Sequence, residues 1–202
     1  MHGSTLYTNK SIPGEYRKVA EKLFPPKGFP AGKGPEPGAA AAFAEILGIG
    51  ADYERLLKAN KTGAELHVFL EHFQNNLDLL IRKTWVEKAD EIRKDKLEDR
   101  LPSFIEEIEQ GDLERALSHF GGILEELAYL FFGTQSTHED FIEYALRIDI
   151  QMGLFWWYGG QLLNYMEAKS HGNRNGEAAL GLPDSRALWP VLLIGICYLT
   201  NF

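Results

Sequence analysis

Apolar positions along the chain recur mostly at the period of an α-helix. Leu66, Phe69, Leu70, Phe73, Leu77, Leu80, Ile81 and Thr84 fall on one helical face. Thr62 and Glu65 ahead of them fit a capping box that starts this helix at Gly63. The stripe then moves to Trp85, Ala89 and Ile92, so the helix either bends there or enters a new packing environment. The stretch EKADEIRKDKLEDR, with pairs such as Asp90–Lys94, reads as a solvated helix. Leu101-Pro102 is expected to break it, and SFIEEIEQ to form a further short helix ending at Gly111. Asp112 can cap the next helix, whose stripe runs Leu113, Ala116, Leu117, Phe120, Ile123, Leu124, Leu127, Leu130, Phe131, with Gly133 as its stop.

From Phe141 to Tyr158 the pattern changes, because apolar residues occupy every face of FIEYALRIDIQMGLFWWY. A helix that is apolar all round is buried all round, which predicts a central helix over 141–158. Ser136 with Glu139, or Thr137 with Asp140, caps its start, and Gly159-Gly160 is expected to weaken it. SHGNRNGEAALGLPD follows as a Gly/Asn-rich loop, after which Ser185 caps a last apolar helix. Pro190 either kinks that helix or marks its start.

The first third is less regular. Ser11–Phe24 predicts a short helix stopped by Pro25-Pro26, and Ala39–Leu47 and Asp52–Ala59 two more around a Gly-containing turn. PPKGFPAGKGPEPG between them is too rich in Pro and Gly for a regular element. Its Gly28, Gly32, Lys33 and Gly34 lack the spacing and the Ser/Thr of a phosphate loop. The expectation is an all-α fold, an irregular bundle of about five to seven helices around 141–158. Residues 1–38 form an N-terminal arm and 39–202 one helical domain.

Charge adds a second layer. The chain has 202 residues and a net charge of −8. Residues 1–35 carry six Lys/Arg and two Glu, whereas 98–149 carry thirteen acids and three bases. So acidic a body disfavours binding to nucleic acid and suits a basic protein or peptide partner. The run Ala187–Leu199 is shorter than the roughly 20 apolar residues that span a bilayer, so a buried helix is expected and membrane-surface association is the alternative. The lone Cys197 excludes an intramolecular disulfide and leans towards a reducing compartment, the cytoplasm.

Candidate chemistry is sparse. Asp149 projects among Ile142, Ala145, Met152 and Trp156, so it is expected to be buried. It then either pairs with a neighbouring helix, through Arg82 or His119, or lines an internal pocket with Trp156 and Trp157. His67 and Glu71 sit one helical turn apart, but neither E-x-x-H nor H-E-x-x-H occurs, so no metal or other cofactor is expected. Arg115 and His119 are too close together for the Arg–His motif of HEPN-type helical nucleases. GDLERALSHF resembles the opening of a tetratricopeptide helix, yet no second copy follows. There is no G-x-S-x-G, and a thiol in an apolar run is normally inert. The loop residues His171, Asn173, Arg174 and Asn175 form either a plain surface connection or a contact for a small polar ligand. The leading expectation is a non-enzymatic interaction protein; the alternative is a small-molecule binder or enzyme with a core pocket near Asp149 and Trp156.

Overall fold

The computed structural model describes residues 12–25, 29, 33–59, 68, 71–72, 74–75, 91–132, 139–175 and 188–200. Among them are eight helices and no strand: α1 (Gly14–Leu23), α2 (Pro37–Ile46), α3 (Gly50–Ala59), α4 (Glu91–Gln110), α5 (Leu113–Phe132), α6 (Glu139–Ile148), α7 (Ile150–Asn175) and α8 (Leu188–Thr200). The fold is an all-α helical bundle. Outside the described residues lie the capping box at Thr62, the whole stripe that follows it, Trp85, and the caps expected at Ser136, Thr137 and Ser185. Val68, Glu71 and His72 are helical and exposed.

Periodicity places the amphipathic elements well. On α4, Leu97, Leu101, Phe104 and Ile108 are buried while Asp99, Glu106 and Glu109 face water. They pack on Leu117, Phe120, Ile123, Leu124 and Leu127 of α5, and the two helices form an antiparallel hairpin. Its turn is Gly111, whose φ of +77° favours glycine, followed by Asp112, whose Oδ1 accepts the Arg115 N–H at 3.1 Å and caps α5.

Pro102 does not end α4, contrary to the expected break. It sits on the exposed side, where its missing N–H leaves one carbonyl to solvent, and the buried face runs on unbroken past it. One residue later, the Ser103 hydroxyl donates to the Asp99 carbonyl at 3.2 Å, which adds a donor to the weakened turn.

The single central helix expected over 141–158 is two helices. The chain leaves helical geometry at Asp149, and α6 and α7 pack against each other. Gly153 permits this corner, since a Cβ there would lie 2.4 Å from Leu146 Cγ. α6 proves amphipathic, with Tyr144 57% and Ile148 59% exposed. Burial on all sides belongs instead to Gly153–Leu162 of α7 and to α8. α7 continues through Gly159-Gly160, where a Cβ on Gly159 would lie 3.3 Å from Leu124 Cδ1 of α5, so the glycine gives close packing there. It also runs on to Asn175, so the first part of the expected SHGNRNG loop is helix. Pro190 falls in the first turn of α8, where a proline costs no intrahelical hydrogen bond.

α8, the apolar run of the sequence, packs against α2, α3 and α5. Gly195 admits the Phe120 ring from α5, for a Cβ there would be 2.3 Å from Phe120 Cζ. Among the described residues no helix is long and apolar enough to cross a membrane. The arm expected over 1–38 is in part core: Ile12, Ala20 and Leu23 join the cluster of α2, α3 and α8. Amphipathic spacing within α1 drives this, and Arg17 Nη2 holds the entering chain by donating to the Ile12 carbonyl at 3.0 Å.

Candidate functional site

Asp149 is exposed. Helical projection put it among apolar neighbours only because it assumed one unbroken helix through 149. In the break, its Oδ1 accepts the Met152 N–H at 2.9 Å, the side-chain bond of an N-cap at the start of α7. Its N–H donates to the Ala145 carbonyl and its carbonyl accepts from Gly153, so one residue closes α6 and opens α7. No ion pair joins it to His119 among the described residues, and Arg82 lies outside them.

The two tryptophans are buried, but they face different neighbours. Trp157 meets Phe24 edge-on at 5.8 Å and Phe43 at 6.1 Å, towards α1 and α2. Trp156 meets Phe155 edge-on at 5.8 Å, and Phe155 stacks on Tyr198 of α8 at 3.9 Å. His119 is half-buried on α5. Asp149, Trp156, Trp157 and His119 are therefore not drawn into one constellation by any contact described. The side chain that feels Asp149 is Tyr198: burial first, then the Asp149 carboxylate, push its phenol well above the usual range.

The buried carboxylate among the described residues is Glu126 of α5. Lys96 of α4 reaches it at 3.6 Å while remaining half exposed, so the pair spans the edge of the hairpin. One turn further along α4, Arg100 lies over Gly122, which sits four residues before Glu126 and supplies the room. Glu126 falls outside the apolar stripe of α5, and packing against other helices, with Lys96 of α4 at its edge, buries it. No pattern within α5 alone signals this.

The acidic block takes a definite form at the tip of the hairpin. Glu106, Glu107 and Glu109 close α4, and Asp112 and Glu114 open α5. Among the described residues Arg115 stands with them, at 3.8 Å from Glu107 and 3.5 Å from Asp112. Glu106, Glu109 and Glu114 are exposed. At the start of α5 such charges favour the helix, because the dipole presents its positive end there. The last turn of α4 has the opposite polarity and no basic residue, so its carboxylates meet the negative end.

Among the described residues no group of His, Cys, Asp and Glu could hold a metal ion. His67 and His138 are outside them, and Glu71 is exposed. Cys197 is buried, and burial pushes its thiol up to about 12, with Asp52 adding to the rise and Arg55 opposing it. It is a neutral thiol at physiological pH. No known protein family model, curated protein or solved structure matches the chain.

Proposed function

We propose that this protein is a non-enzymatic helical interaction module that binds a basic protein or peptide through the acidic tip of the α4–α5 hairpin. The observation carrying this reading is the placement of Glu107 and Glu109 in the last turn of α4. Carboxylates there oppose the helix dipole, where a cation would gain about 0.3–1 kcal/mol. A choice that works against local stability fits a surface kept for binding. Arg115 already serves Glu107 and Asp112. Glu106, Glu109 and Glu114 are exposed at the tip, and the net negative charge there favours cationic partners. Asp149 acts as a cap at the surface, so the reading makes no use of an acid in an internal pocket.

A lysine-rich peptide of about ten residues is a direct probe, titrated by fluorescence anisotropy at low and at physiological salt. Affinity is expected to fall steeply as salt rises. Glu106→Gln/Glu109→Gln/Glu114→Gln is expected to weaken binding by about tenfold, whereas Glu15→Gln/Glu21→Gln on α1 leaves it unchanged. Equal affinity for the wild type and the hairpin variant would sink the proposal.

A further inference from the structure

The charged groups of the hairpin tip are held unequally. Glu107 is fixed by its backbone, because the Gly111 and Asp112 N–H groups donate to the Ile108 and Glu107 carbonyls at 3.0 and 2.9 Å and close the end of α4. Its side chain is 16% exposed, and its Oε2 is buried with no hydrogen-bond donor among the described residues. Arg115 Nη1 approaches Oε1 only to 3.8 Å, beyond hydrogen-bonding range, while its Nε stands 3.5 Å from Asp112 Oδ2. The Arg115 side chain is 72% exposed, so two long ion pairs hold a guanidinium that is otherwise in water. Pairs of that length and exposure contribute little to folding, and the guanidinium can leave at small cost.

Resting on the reading of the tip as a binding surface, we infer that Arg115 is an internal competitor: its guanidinium stands where an arginine side chain of the basic partner binds Glu107. The group already there sets the chemistry of its replacement. A guanidinium presents a planar fork of donors that matches a carboxylate at two points, whereas an ammonium is a point charge. Arg115 is tethered to the first turn of α5 and shared with Asp112, and it does not reach that geometry. A partner's arginine enters from solvent and carries no such tether. Departure of the Arg115 side chain leaves α5 intact, because the cap runs through the Arg115 backbone N–H, which donates to Asp112 Oδ1 at 3.1 Å. Arg115 therefore holds affinity down and favours arginine over lysine, since the entering group must do better than the one it displaces.

Arg115→Gln keeps the capping N–H, so the variant is expected to fold. Anisotropy titrations with an arginine-rich and a lysine-rich peptide of equal length and charge compare the full-length wild type, Arg115→Gln, Glu107→Gln and the double variant. Arg115→Gln is expected to tighten binding of the arginine peptide by about threefold to tenfold, and of the lysine peptide by less. In the Glu107→Gln background the same substitution is expected to gain under about twofold, because the contested carboxylate is gone. A gain that persists undiminished without Glu107 would mean that Arg115 acts through net charge alone. That result, or unchanged or weaker binding by Arg115→Gln, overturns the inference and leaves the tip as a binding surface. Equal affinity for the wild type and Glu106→Gln/Glu109→Gln/Glu114→Gln overturns the reading of the tip, and the inference with it.

Discussion

On α4, buried Leu97, Leu101, Phe104 and Ile108 alternate with residues in water, whereas every residue of α7 from Gly153 to Leu162 is buried. The first helix packs on α5 and leaves its other face in water. The second is enclosed, and its rings of Phe155, Trp156, Trp157 and Tyr158 are used against α1, α2 and α8. The difference teaches where to look for function. The aromatic segment is the richer in chemistry-bearing side chains, yet its contacts are those of a core. The hairpin tip is plainer in composition, and it is the part whose charges work against their own helix.

The largest effects should come from the enclosed side. Phe120 fits against Gly195 where α5 crosses α8, so Phe120→Ala should cost about 3–5 kcal/mol by chemical denaturation. Gly195→Ala should cost about 1–3 kcal/mol by crowding the same contact. A loss under 1 kcal/mol for Phe120→Ala would mean that this region is not the tight core described.

Alkaline pH probes the same region. Burial raises Tyr53 and Cys197 to about 12 from ordinary values of 10.0 and 9.0. The folded state therefore keeps protons that the unfolded chain releases, and stability present below pH 9 falls as pH rises towards 12. The slope approaches about 1.4 kcal/mol per pH unit for each group. Denaturation midpoints that stay level between pH 9 and 11 would contradict that burial.

At the corner between the two plans, Asp149→Ala should cost about 1 kcal/mol, while Asp149→Asn, which also caps, should be nearly neutral. Equal losses for Asn and Ala would show that the charge matters rather than the cap.

Much of the fold was legible in the residues themselves. The stripe of α5, the Gly111 turn and the Asp112 cap follow from local periodicity and capping chemistry, whereas α4 runs through Pro102, where a break was expected. Asp149 was misread because a run apolar on all faces hides a helix break: the projection has no empty side from which to see it. The same residue type three positions before Met152 is, in hindsight, an N-cap signal. Glu126, Tyr53 and Tyr158 were not legible, since their burial depends on which other helix lies across them. The acidic block was visible as composition, but its concentration at a hairpin tip, against the dipole of α4, needed the structure.

The central claim is that the charges of the tip serve binding rather than folding. Glu106→Gln/Glu109→Gln, measured for both denaturant stability and lysine-peptide affinity, tests it on one sample. The account predicts stability unchanged or raised by up to about 0.5 kcal/mol, because charge is removed from the negative end of α4, together with a loss of affinity of about fivefold. Lower stability with undiminished affinity would contradict it.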